Sequence, residues 1–175
     1  MGPQLTRSAG KNVKKVLAAE RGAAQDVVAY VVPKGQEDIK KAGNFGARWY
    51  EGFKGKVTEG GGNIRTAFTM PSESPMKHWR VFEHGATIHG KPLLWIPLSF
   101  AKDAQGIRAR DYPGKLFRVN RAGKAPLLLA AGKPAQPKYF GKESVRIPKK
   151  FHLVEIVRQG ASKMKNFFNK RMKNG

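Results

Sequence analysis

Glu83, His84 and His89, with His78 upstream, are the side chains that come nearest to a metal or acid–base site. A helical zinc motif needs two histidines one turn apart on one face. Here the pattern is His84-x4-His89, and Gly85 and Gly90 interrupt any helix that would align the pair. The preferred reading is an exposed histidine pair beside a glutamate that hydrogen-bonds nearby backbone or an arginine. The Gly60-Gly61-Gly62 run is not a phosphate loop, because no Gly-Lys-Ser/Thr follows it. No Gly-x-Ser-x-Gly elbow offers a serine nucleophile, and the absence of cysteine removes thiolate chemistry and disulfides. Asp103 and Asp111 lie in a basic segment, where pairing with Arg108 or Arg110 is favoured over a catalytic dyad. No catalytic residue, cofactor or metal is therefore expected.

The elements around these residues follow from periodicity. Residues 1–10 read as a flexible N-terminal arm, and 11–175 as a single α+β domain with long basic loops. Val13, Val16, Leu17, Ala24, Val27, Val28 and Val31 recur at helical spacing and predict a helix over 11–32. Ser8 or Asn12 would cap it, and Pro33 and Gly35 would stop it, leaving 34–46 as a polar loop. A short helix over 47–53 precedes strands over 56–59 and 63–70, which turn at the three glycines. Pro75 would open a short helix that ends near His84, with Gly85 as its stop.

Strands are expected over 86–89, 93–98, 116–120 and 127–131, with 101–115 and 132–143 as loops or ribbons. A last helix should run from Pro148 or Phe151 to Met172, burying Val154, Val157, Ala161, Met164, Phe168 and Met172. The two long helices should pack on one twisted, mainly antiparallel sheet that includes 63–70 and 93–98. Val27, Val28, Phe68, Leu94, Ile96, Val154 and Val157 should then be mainly buried, with Trp95 and Phe117 in the core rather than stacking on bases.

Charge is the dominant compositional signal. The chain of 175 residues carries a formal net charge of +22. Residues 101–175 hold 19 Lys and Arg against four Asp and Glu, so the excess lies mainly in the C-terminal part. Such a surface attracts polyanions. A basic face made of Arg158, Lys163, Lys165, Lys170 and Arg171, with Arg108, Arg110 and Arg121 from the loops, is the expected contact with DNA or an acidic partner. With no zinc-finger, RNA-recognition or homeodomain pattern, any DNA contact should be indifferent to sequence. No apolar run is long enough to span a bilayer, and no membrane partner is expected.

Two motifs add a family. Glu83-x-Gly85-Ala86 leads from an apolar segment into a strand, and Ile147-Pro148-Lys149-Lys150-Phe151 opens the C-terminal helix. Together they resemble a signature of tailed-bacteriophage neck and tail-completion proteins, the minor tail protein Z-like and gene-ten-like morphogenesis family. The resemblance covers about the second half of the chain; the first half matches in pattern alone. It implies an α+β fold with helices at both ends and a non-enzymatic role as a structural virion protein. The implied subunit would join a ring, sixfold, at the head–tail neck or upper tail end. It would act in tail completion and head–tail joining, touching connector or tail-tube proteins and genome DNA or the tape measure protein. The alternative reading is a sequence-independent nucleic-acid-binding protein.

Overall fold

The apolar stripe of the first helix continues past its expected end, and the chain follows it. The computed structural model describes residues 3–73 and 75–174, with side chains described from Asn12 onward. Helix α1 runs Pro3–Lys41 with Pro33 inside it. Residues 3–10, expected as an arm, are therefore helical in backbone; Met1 and Gly2 lie outside the described residues. Ser8 and Asn12, expected as caps, fall in the helix interior.

A proline in a helix interior costs about 3 kcal/mol. Contacts made beyond Pro33 offset that cost. Gly35 lies beneath the Phe53 ring, where a Cβ would come within 2.3 Å of a ring carbon. Gln36 donates to the Phe53 carbonyl, and Ile39 is fully buried. The expected stop at Pro33 and Gly35, and the loop over 34–46, are thus corrected: Gly35 is a packing glycine, and non-helical chain starts only after Lys41.

The chain forms two compact units. One comprises Met1–Gly85 and Pro148–Gly175, and the other comprises Ala86–Ile147. The first unit holds α1, α2 (Ala47–Gly52), β1 (Lys54–Gly60), β2 (Asn63–Thr69), α3 (Trp79–His84), α4 (Leu153–Ser162) and α5 (Met164–Asn174). A single 3-10 turn, Met76–His78, leads into α3. Strands β1 and β2 form an antiparallel hairpin in which Gly60 pairs with Asn63. Gly61 and Gly62 both have positive φ, as a two-residue hairpin turn of this hand requires.

The core of this unit joins Val27, Val31 and Ile39 of α1 to Phe53, Phe151 and Leu153. Helix α4 approaches α1 at Gly160, where a Cβ would sit 2.2 Å from a Val31 methyl. Gly160→Ala is expected to destabilise the chain by roughly 1–3 kcal/mol through overpacking, read as a lower denaturant midpoint at unchanged slope. The expected single C-terminal helix is two helices, separated at Lys163. The expected Val157 and Met164 do pack on the core, but the most buried positions of α4 lie one residue before the expected Val154 and Ala161. Leu153 and Gly160 are buried, Ile156, Met164 and Phe167 pack on the core, and Ala161 is exposed.

The second unit is a four-stranded antiparallel sheet in the order β3-β6-β5-β4. Its strands are β3 (Ala86–Pro97), β4 (Leu116–Arg121), β5 (Lys124–Ala130) and β6 (Gln136–Ile147). The expected strands 86–89 and 93–98 are one strand with a bulge: His89 faces Ser144, Leu94 faces Lys142, and residues 90–93 bulge between them. A Cβ on Gly90 would meet the Leu93 backbone at 2.3 Å, so this tight bulge requires glycine. Residues 132–143, expected as a loop, contribute most of β6, which is central to the sheet. Pro137 is tolerated there because it sits where the pairing with β5 shifts register, beyond the last β3 partner. One face is covered by 98–115, which packs Ala101, Ala104 and Tyr112 around the fully buried Tyr139.

Helices at both ends and wholly antiparallel pairing make the fold α+β, as expected. The expected single sheet is corrected to two, since β2 and β3 belong to different sheets. Of the seven residues expected to be mainly buried, Val27 is so. Val28, Phe68, Leu94, Ile96, Val154 and Val157 are half-buried. Trp95 packs against the second core, whereas Phe117 remains 41 % exposed on the edge strand β4. Truncating Ile96 should accordingly cost less than the roughly 2–5 kcal/mol of a fully buried isoleucine.

Candidate functional site

Among the described residues Glu83 is the most deeply buried charged side chain. It lies near the end of α3, is 2 % exposed, and aims its carboxylate at the start of α4. The Leu153 N–H donates to Oε2 at 2.8 Å, and the Val154 N–H donates to Oε1 at 3.2 Å. The first N–H groups of a helix have no partner within it, and they carry the positive end of its dipole. A buried carboxylate satisfies both requirements. Asp38 of α1 adds a second carboxylate, accepting from the His152 N–H at 2.7 Å. The backbone beside Glu83 is tied to the same place, because the Phe82 carbonyl accepts from the N–H groups of Lys150 and Phe151. Phe82 and Glu83 therefore meet residues 150–154 in one joint, within the first unit, that starts α4.

Gly85 gives that joint its shape. It follows α3 with φ 73° and ψ 161°, a region open to glycine and hostile to any residue with a Cβ. Helix α3 ends there, one residue before β3 begins. Gly85→Ala is expected to cost roughly 1–3 kcal/mol and to lower the thermal midpoint; wild-type stability in that variant would contradict the assignment. Ala86 is the first β3 residue and pairs with Ile147. His84 and His89 are exposed, and among the described residues no group of three His, Cys, Asp or Glu side chains is placed to hold a metal ion.

The basic residues expected to share one face are spent on several tasks. Arg108 and Arg110 both pair with Asp111. Arg121 donates to the Ala125 carbonyl across the β4–β5 turn. Arg158 lines a 350 Å³ apolar pocket with Phe53, Phe68, Trp79 and Val157. Lys163 lies 5.2 Å from the centre of the Tyr30 ring, a cation–π contact. Arg171 crosses α1 over Gly22 and grips Asp26 through Nε at 2.9 Å and Nη2 at 2.6 Å. Lys165 and Lys170 are exposed on α5. Asp103 does not pair with an arginine. It accepts from Lys138 at 3.0 Å and from the Tyr112 hydroxyl at 2.7 Å.

These pairs set an acid limit. The Arg171 hydrogen bonds hold the Asp26 carboxyl below its ordinary value of 3.8. Lys138, then Tyr112, do the same for Asp103. A carboxylate lowered on folding stabilises the fold above its unfolded pKa, and that contribution fades as pH falls through the folded value. The contact of α5 with α1 should therefore loosen below about pH 4. Protection factors of the α5 amides, taken against intrinsic rates at each pH, should fall over that window, and Asp26→Asn should show low protection already at neutral pH.

Between α1 and α5 runs an open groove of 1040 Å³. Ala18, Ala19, Ala29 and Phe167 line its floor, and Lys14, Lys15 and Lys170 stand along it. A smaller recess of 290 Å³ on α5 adjoins it at Lys170 and Asn174, and also takes in Asn166, Asn169 and Lys173. Sequence periodicity has no means of finding this groove, because it depends on where α5 docks.

No family model, no curated protein and no solved structure matches this chain.

Proposed function

We propose that this chain is a structural virion protein of a tailed phage, a ring subunit at the head–tail neck or upper tail end that completes the tail and joins it to the head. The observation that carries the reading is the convergence of the two motifs that resemble the neck and tail-completion family. Glu83 from the first motif caps the helix that follows the second, and Phe82 receives both Lys150 and Phe151. Residues used in this way build a scaffold.

The surface suits a subunit made to be covered. Among the described residues of the second unit, the buried apolar cluster consists of Ala101, Ala104 and Tyr139. Phe100 is 66 % exposed, beside a 430 Å³ depression floored by Leu98, Leu127 and Phe140. An exposed aromatic beside an apolar hollow, on an otherwise strongly charged chain, is what subunit contacts use. The proposed partners are further copies in a sixfold ring, then connector or tail-tube proteins, with genome DNA or the tape measure in the lumen.

Removing the gene from the producing phage tests this reading. Heads and tails should accumulate unjoined, and complementation in trans should restore whole particles. Normal particle assembly without the chain would reject the proposal.

A further inference from the structure

We infer that the α1–α5 groove and the adjoining face of α5 form a sequence-independent binding surface for the phosphodiester backbone of nucleic acid. The inference rests on side-chain chemistry and placement, and it is independent of the assembly reading. Helix α5 contains no Asp or Glu. At helical spacing, Lys165, Asn166, Asn169, Lys170, Lys173 and Asn174 form one continuous face, and all six are exposed. Across the groove α1 presents Lys14 and Lys15, also exposed. Among the described residues the one carboxylate lining the groove, Asp26, is neutralised by Arg171 in a two-point ion pair. A bound polyanion therefore meets positive charge on both walls and, among the described residues, no free carboxylate between them.

The asparagines favour nucleic acid over simple solubility. Asn is a poorer helix former than Glu, Lys, Arg or Gln, so a face that served only to hold water would do better without three of them. Amide and ammonium donors interleaved along a helix are what phosphate and sugar oxygens accept from.

An acidic amphipathic helix fits less well. Such helices dock by inserting large apolar anchors into hydrophobic pockets. This floor is largely alanine, and the Tyr30 ring has Lys34 and Lys163 near it. Small floor residues do allow close approach of a strand backbone. The lysines of this surface include Lys165 and Lys170 of the expected basic face. Arg108, Arg110, Arg121 and Arg158 do not belong to it, since their guanidinium groups are held elsewhere or line the apolar pocket.

The test is fluorescence anisotropy of the full chain with two labelled duplexes of unrelated sequence, titrated at several salt concentrations. With about four or five phosphates neutralised, the log–log slope against salt should be roughly −4. Affinity should fall on the order of a hundredfold between about 50 and 200 mM salt, equally for both duplexes. Lys170→Gln combined with Lys173→Gln should reduce the slope by about 2. The charge-matched control, Lys124→Gln with Lys133→Gln in the second unit, should leave it unchanged.

Lysine acetylation of the wild-type chain gives an independent reading that needs no variant. Bound duplex should protect Lys14, Lys15, Lys165, Lys170 and Lys173 and leave Lys124 and Lys133 reactive. Equal effects of the two double variants, or uniform protection, would overturn the inference by showing diffuse attraction. So would marked sequence preference, a flat salt response, or polyglutamate competing as well as DNA at equal charge, the last assigning the groove to an acidic protein. Failure of DNA binding leaves the assembly proposal standing, and failure of head–tail joining leaves this one standing.

Discussion

Replacing Phe151 by alanine is expected to cost roughly 3–5 kcal/mol, more than any other single truncation in this chain's aromatic joint. The ring is fully buried. Phe45 lies 4.8 Å away, Phe82 5.5 Å and Trp49 6.1 Å, measured between ring centres. Such tilted and edge-on pairs add to the area they bury. The cavity left behind would open beneath the joint itself, since the Phe151 N–H is held by the Phe82 carbonyl. Native proteins have a total stability of about 5–15 kcal/mol. The variant should therefore show a large fall in denaturant midpoint and weakened protection in α4. Phe100→Ala supplies the contrast. At 66 % exposure its loss should change stability by no more than about 0.5 kcal/mol. If the two substitutions proved equally mild, the aromatic core would be misassigned.

Glu83→Ala is expected to cost roughly 2–4 kcal/mol. It removes two charge-assisted bonds and leaves the Leu153 and Val154 N–H groups without their partner. It also removes negative charge from the positive end of α4. Glu83→Gln should be milder, because an amide oxygen still accepts one bond while its NH₂ group faces the other N–H. The order alanine worse than glutamine, read from unfolding midpoints, separates a capping role from mere filling of space. A purely steric role would make glutamine harmless, and a catalytic role would leave both folds intact.

How much of the fold and of this joint is legible in the sequence depends on the distance between partners. The Gly61-Gly62 turn, the stop at Gly85 and strands β2, β4 and β5 are written in local chemistry, and they stand close to where periodicity puts them. The expectation that Glu83 hydrogen-bonds backbone is also right in kind. Its partner is out of reach of a local reading, since Leu153 lies 70 residues further on.

The misses have the same cause. Pro33 reads as a stop because its cost is local, whereas the contacts of Gly35 and Ile39 that outweigh it are tertiary. Strand β6 reads as a loop because its inward residues include Lys138 and Gly141. A buried lysine is acceptable there because Asp103, distant in sequence, and the nearby Gln136 both receive its ammonium. Gly160 is the visible hint that the most buried position lies one residue before the expected Ala161. It is the close-approach point against Val31.

The proposed role as a neck or tail-end ring subunit is tested most directly by weighing the chain in purified particles. Quantitative mass spectrometry of intact virions, calibrated on the portal protein, should find six copies per particle, and labelling should place them at the head–tail junction or upper tail. Whole, infectious particles that contain none of this chain would contradict it.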